Sequence, residues 1–173
     1  MKFSTFLATI FAAVTLPLLA NAAFARDYTL GTLEISQPWT RATPKGAETG
    51  AGYLTVKNTG SEPDRLVSAT LSNATTAQIH QMTVDNGVMK MREIADGIEI
   101  KPGETVTLQP NNYHIMFKGL KQPLVKGQTV AGNLTFQRAG SINVEFEVAP
   151  AGSPGPQGQS RMQNDHMHMN QMH

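Results

Sequence analysis

Short runs of β-branched and aromatic residues, separated by Gly, Pro, Asn and Asp, fill the chain from residue 26 to about residue 150. Within these runs apolar and polar residues tend to alternate with the period of two that a half-buried strand needs, and no segment keeps the period near 3.6 of an amphipathic helix. The sequence therefore predicts an all-β domain. The predicted strands are Tyr28–Ile35, Gly52–Lys57, Arg65–Leu71, Ala77–Thr83, Val88–Ile94, Ile98–Ile100, Thr105–Leu108, Tyr113–Phe117, Thr129–Gln137 and Ile142–Val148.

The number of these strands limits how they can be arranged. A single flat sheet of roughly eight to ten short strands would leave one apolar face uncovered, whereas a sandwich or a barrel buries its inner face. We therefore expect residues 26–150 to form one domain, a Greek-key β-barrel or a β-sandwich. No segment of the sequence indicates a second domain.

The first 25 residues have the pattern of a secretory signal peptide. Met1 and Lys2 precede an apolar stretch that Pro17 interrupts, and the stretch ends in small residues that suit a cleavage site. It is short for a transmembrane span, so an export signal fits better than a membrane anchor. Cleavage after Ala25 predicts a mature periplasmic protein, and no later segment is long and apolar enough to span a bilayer.

Charge and cysteine content exclude several classes of function. The chain has 14 Lys and Arg against 13 Asp and Glu, with no block of like charge, which argues against nucleic-acid binding. It has no cysteine, and therefore no disulfide, thiolate zinc site, iron–sulfur cluster, blue-copper thiolate or cysteine nucleophile. It also has no Gly-x-Ser-x-Gly, phosphate-binding glycine loop or His-Glu-x-x-His sequence. We therefore expect a binding protein rather than an enzyme.

An Asp-Asn-Gly sequence at residues 85–87 predicts a tight β-hairpin, because Asn-Gly suits the type I′ turn. Counting outward from this turn pairs the two strands residue by residue, and so predicts which side chains share a face. The predicted pairs are Asp85 with Val88, Met82 with Met91, and His80 with Glu93.

Two His-x-Met sequences, at residues 80–82 and 114–116, contain both histidines of the predicted domain. Residues two apart on a strand lie on one face about 7 Å apart, so each sequence places an imidazole beside a thioether. Met89 and Met91 lie across the hairpin from the first of them. A single methionine on a strand usually fills space in a core, but this grouping indicates a metal site. Thioether sulfur is soft and neutral, and it selects copper, above all Cu(I), over Zn²⁺, Mg²⁺ or Ca²⁺.

The composition of the chain changes after Pro150. Residues 151–165 are rich in Gly, Pro, Ser and Gln and predict a flexible linker, and the chain then ends in HMHMNQMH. Ends rich in His and Met are typical of metal binding, so residues 166–173 predict a second copper site, which could take Cu(II) as well as Cu(I). Its candidate ligands are His166, Met167, His168, Met169, Met172 and His173.

The arrangement of these residues resembles the ligand motif of the periplasmic copper chaperones called PCuAC. Ten residues separate His80 from Met91, and the sequence His114-Ile-Met116 follows. The segments PWTRATPKGAETGAGYLTVKN and PNNYHIMFKGLKQPLVKGQTVAGNLTF are also similar to that family, and the resemblance extends over residues 33–148. Met91 and His114 are separated by the 22 residues 92–113, which is one residue more than in the family motif.

The resemblance implies a cupredoxin-like β-barrel that binds one Cu(I) ion near its surface through His80, Met91, His114 and Met116. Met82 is not a position of the family motif, but the hairpin register places it close enough to be an auxiliary ligand. The resemblance also implies delivery of copper to the binuclear copper site of cytochrome c oxidase subunit II, often alongside a thiol-based copper chaperone. A second interpretation remains open, in which the protein is a periplasmic copper buffer or resistance protein that sequesters copper without specific delivery.

Overall fold

The computed structural model describes residues 26–155, and this part of the chain forms eleven β-strands. The predicted all-β class is confirmed. No helix in residues 26–155 is long and apolar enough to cross a membrane. The predicted signal peptide and the His/Met tail lie outside the described residues. The strands are β1 (Asp27–Leu30), β2 (Leu33–Arg41), β3 (Thr49–Asn58), β4 (Asp64–Leu71), β5 (Thr76–Asp85), β6 (Val88–Glu93), β7 (Ile98–Ile100), β8 (Thr105–Leu108), β9 (Tyr113–Lys118), β10 (Thr129–Phe136) and β11 (Gly140–Ala149).

One sheet connects all the strands, in the order β6-β5-β9-β3-β2-β11-β10-β4-β7, with β1 added beside β2 and β8 beside β3. All the pairs are antiparallel except β2 with β11. Buried side chains from both ends of this order, Ile79 of β5 and Leu66 of β4, belong to the same core cluster. The sheet therefore curls around its core, and the ends of the strand order face each other across it.

The core follows from the alternation in the sequence. Parts of β2, β3, β9, β10 and β11 alternate between buried and more exposed residues, whereas residues 38–40 of β2 and 52–54 of β3 are buried consecutively. The largest of these side chains are phenylalanines, and the ring of Phe117 packs edge-to-face on Phe146 with 5.5 Å between ring centroids. This packing fixes β9 in place, and β9 carries part of the candidate site described below.

One predicted strand is wrong. The range Tyr28–Ile35 contains two antiparallel strands, β1 and β2, joined by a tight turn at Gly31. Gly31 has a φ of 59°, which glycine adopts at little cost, so the chain reverses there although apolar residues continue on both sides. β2 then runs on to Arg41 through Pro38, where the pairing with β3 shifts register. Proline is tolerated at such an irregularity because the ladder is already interrupted.

Gly52 of β3 leaves space for the ring of Phe117, and this contact supports a prediction about stability. A Cβ atom at residue 52 would lie 2.6 Å from Cε2 of Phe117, a ring that is fully buried and cannot withdraw. We expect Gly52→Ala to lower the free energy of unfolding by about 1–3 kcal/mol, as overpacking does, measured by urea denaturation. Gly50→Ala, on the same face of β3, is the control, because its Cβ would meet only the methyl ends of the flexible Leu124 and Leu120 side chains, at 3.1 Å and 3.4 Å. Equal losses in the two variants would contradict the prediction.

Candidate metal centre

Strands β5, β6 and β9 bring the predicted site residues together at one end of the sheet. The predicted hairpin register is confirmed, with Asp85 opposite Val88, Met82 opposite Met91 and His80 opposite Glu93. On its other edge β5 pairs with β9, and this pairing places His80 directly opposite His114. The neighbouring pair, Ile79 and Ile115, is buried in the core, so the two histidines lie on the outer face.

The donor atoms of this group are close to one another. Nδ1 of His80 lies 3.1 Å from Sδ of Met91. The imidazole rings of His80 and His114 are 5.7 Å apart between centroids and are inclined by 74°. Met116 is two residues from His114 on the same face of β9 and lies opposite Gln78 of β5. The two imidazoles and the Met91 thioether therefore lie close together, and the strand register places Met116 on the same face beside them.

A backbone carbonyl group holds the imidazole of His114 in place. Its side chain is only 5% exposed, and Nδ1 lies 3.1 Å from the carbonyl oxygen of Asn112. A carbonyl can only accept, so Nδ1 is the nitrogen that carries the proton, and Nε2 keeps its lone pair. Such a hydrogen bond is the usual way in which a protein orients a metal-binding imidazole.

His80 is held by a chain of two hydrogen bonds. Nε2 of Gln78 donates to Oε2 of Glu93 at 2.9 Å, which leaves the amide oxygen of Gln78 facing Nε2 of His80 at 3.3 Å. That oxygen is an acceptor, so the proton of His80 lies on Nε2 and the lone pair lies on Nδ1, which faces Met91. The two histidines thus offer different nitrogens, Nδ1 of His80 and Nε2 of His114.

The electrostatic surroundings of His80 favour its neutral form. Partial burial lowers the pKa of His80, the positive charges of His114 and Lys118 lower this pKa further, and the Glu93 carboxylate partly opposes them. A histidine must be neutral to bind a metal, so these surroundings favour the binding form over a wider range of pH.

The chemistry of the donor set is soft. Among residues 26–155 no group of three or more His, Asp and Glu side chains is arranged to hold a metal ion. Imidazole nitrogen with thioether sulfur suits a soft monovalent ion. Met82, predicted as auxiliary, lies opposite Met91 and is half-buried, whereas the tail candidates lie outside the described residues.

Sequence reasoning overlooked Gln78 and the link it makes. Gln78 shares a face with His80 two residues away, and Glu93 is the predicted cross-strand partner of His80, so the hairpin register contained a signal for both. The hydrogen bonds could be assigned only once the side chains were in place. The curled sheet and these side chains define a class of protein, a small β domain that presents a group of soft donor side chains on its outer face.

Comparison with known proteins gives the family. Residues 33–148 match the model of the family described as "Putative lipoprotein LpqE-like". A protein described as putative lipoprotein Lxx21020, from Leifsonia xyli subsp. xyli (strain CTCB07), is 37% identical over 116 residues, which are 67% of this chain and 69% of that protein. The chain belongs to the LpqE-like family.

Solved structures show the same fold. The copper-bound PCuAC domain from PmoF2 is 24% identical with a TM-score of 0.62, and covers 72% of this chain and 98% of its own. The apo PCuAC domain from PmoF1 is 23% identical with a TM-score of 0.62, and the match covers 72% of this chain and 99% of that domain. The protein in the solution structure of CuI-DR1885 from Deinococcus radiodurans is 28% identical with a TM-score of 0.53, and the match covers 73% of this chain and 83% of that protein. The predicted cupredoxin-like fold and the resemblance to PCuAC are confirmed.

The hydrogen bonds of the two histidines predict opposite tautomers in the metal-free protein. We expect long-range ¹⁵N–¹H spectra at pH 7.5 to show the proton of His80 on Nε2 and that of His114 on Nδ1. In Gln78→Leu, which has no oxygen to accept from His80, the preference of His80 should disappear while that of His114 stays unchanged. A His80 tautomer that does not respond to Gln78→Leu would show that Gln78 does not orient the ring.

Proposed function

We propose that this protein is an exported copper chaperone that binds one Cu(I) ion through His80, Met91, His114 and Met116. The observation that carries the proposal is the cross-strand pair of His80 and His114, with Sδ of Met91 3.1 Å from Nδ1 of His80. The PCuAC domain from PmoF2 was solved with copper bound, and the protein from Deinococcus radiodurans was solved in its CuI form. Imidazole and thioether donors close together on the same fold support copper as the ion bound here.

The site suits an ion that is carried rather than used in a reaction. Met91 is 48% exposed on an edge strand, so an incoming ligand can reach it. With no thiolate in the donor set, the site holds copper less firmly than a cysteine site would, and it cannot be oxidised to a disulfide. These properties support a binding and transfer function, not an enzyme.

The compartment and the second site remain proposals from the sequence. We propose that residues 1–25 direct export to the periplasm and are removed there, and that residues 166–173 bind a further copper ion, as Cu(I) or Cu(II).

The copper site itself can be tested by titrating the mature protein with Cu(I) against a chromogenic competitor. We expect one tight equivalent in the domain that weakens by more than about a hundredfold in His114→Ala, since losing a ligand costs more than losing an outer partner. Deleting residues 159–173 is the matched control, and should lower the stoichiometry while leaving the tight equivalent in place. Affinity should fall as the pH drops through the imidazole range, because protons compete for the histidines. A tight equivalent that survives His114→Ala would place the site elsewhere.

Delivery is the finer part of the proposal. We propose that the acceptor is the binuclear copper site of cytochrome c oxidase subunit II, reached directly or together with a thiol-based copper chaperone. The alternative is a copper buffer or resistance protein. Mixing the Cu(I)-loaded protein with the apo copper domain of subunit II separates the two, since a chaperone should transfer its ion and a buffer should retain it. Retention of copper in the presence of excess acceptor would favour the buffer.

A further inference from the structure

The hairpin of β5 and β6 extends beyond the rest of the sheet. β9 pairs with β5 only from Thr76 to Gln81, and the last hydrogen bond between this hairpin and its neighbour runs from the N–H of Met82 to the carbonyl of Asn112. Beyond that point the two strands pair only with each other, and every residue of β6 is exposed.

The two faces of this extension differ in chemistry. On one face Lys90 donates to Asp85 at 2.6 Å, and the guanidinium of Arg92 donates to the amide oxygen of Gln81. These bonds make a polar, solvated face. The opposite face contains two cross-strand pairs without any charged side chain. The next pair on this face, toward the rest of the sheet, contains Glu93. The pairs are Met82 with Met91 and Val84 with Met89.

The methionines of this second face are not used for packing. Met89 is 57% exposed and Met91 is 48% exposed, and neither belongs to a core cluster of the described residues. Methionine is normally placed where its flexible side chain fills a gap in a core. Exposed thioethers on a solvated strand therefore call for another explanation, and metal coordination is one that uses the sulfur itself.

The register allows three sulfur atoms to meet. Directly opposed residues such as Met82 and Met91 have Cβ atoms about 5 Å apart, and the diagonal neighbour Met89 lies about 7–8 Å from Met82. Each side chain has three rotatable bonds, so their thioethers can converge on one ion. Cu(I) has no d-electron preference for a high coordination number and accepts soft neutral donors.

We propose that Met82, Met89 and Met91 form a second Cu(I) site, made only of thioethers, through which copper enters and leaves the His/Met site. The proposal rests on the proposed function of that site, and Met91 belongs to both. Its sulfur already lies 3.1 Å from Nδ1 of His80, so an ion held at the hairpin can pass inward without being released.

The transfer is a ligand exchange in which nothing is oxidised or reduced. The bonds from copper to the sulfurs of Met82 and Met89 break, the bonds to His80, His114 and Met116 form, and the bond to Met91 persists. All the donors are neutral and keep their protons where they are, so the ion remains Cu⁺ throughout.

The first experiment detects the site directly. The mature protein is labelled at the methionine methyl carbons and titrated with Ag(I), a soft monovalent probe that is not redox-active, in the variant His80→Asn/His114→Asn. We expect the methyl signals of Met82, Met89 and Met91 to shift together, with that of Met116 unmoved, while the tail methionines give separate signals. Adding Met82→Leu/Met89→Leu should abolish the shift of Met91. If the double histidine variant does not fold, the single variant His80→Asn replaces it, because His80 is the less buried of the two histidines.

The second experiment measures the use of the site. In Met89→Leu the equilibrium affinity of the His/Met site should stay within about twofold, and the rate of Cu(I) release to a chelator should fall about tenfold, because a step of the exit path is lost. Val84→Leu/Val88→Leu is the matched control, which changes the size of apolar side chains on the same hairpin but no sulfur. Equal slowing in the control, or unchanged release in the methionine variant, would overturn the proposal.

The two proposals fail in different ways. A wild-type protein without a tight Cu(I) equivalent would contradict the proposed function. A tight equivalent at the His/Met site, with methyl signals of Met82 and Met89 that do not respond to Ag(I), would contradict the hairpin site alone.

Discussion

The antiparallel pairing of β5 with β9 is the constraint on which the candidate site depends. It sets His80 opposite His114, and it brings two His-x-Met sequences, distant in the chain, onto one outer face. The pairing is itself fixed by the core, because Ile79 and Ile115 are buried beneath the two histidines. A slip of β5 by one residue would turn Ile79 to solvent and His80 inward, so the packing of the domain and the geometry of the donors are selected together.

Local signals predicted the elements of this fold well. The Asn-Gly turn predicted the hairpin register at every pair, since the turn type fixes how the strands align. The pairing of β5 with β9 had no such signal, because it joins residues more than thirty positions apart that no single turn connects. The division of Tyr28–Ile35 into two strands was missed because a positive φ at Gly31 is permitted to glycine but not required of it.

The site was predictable to a similar depth. Residue types and spacing identified the four donors as candidates, because soft ligands on alternating positions are visible in the sequence. The tautomers of the two histidines could not be predicted, because each depends on which acceptor faces the ring nitrogen that carries the proton. For His114 this acceptor is the carbonyl of Asn112, and for His80 it is an amide that Glu93 orients from the next strand. Such contacts exist only after the strands have paired.

The assigned protonation of the two histidines has a consequence for the charge of the surface. In these two tautomers each imidazole is neutral and offers a lone pair, and thioethers carry no proton, so a Cu⁺ ion that binds this form would displace no proton and would add one full positive charge. No carboxylate is among the four donors to neutralise it, and Lys118 contributes another cation nearby. Loaded and empty forms would thus differ in electrostatic potential at this end of the sheet. An acidic acceptor would attract the form that carries copper and hold the emptied form less strongly, which gives delivery a direction.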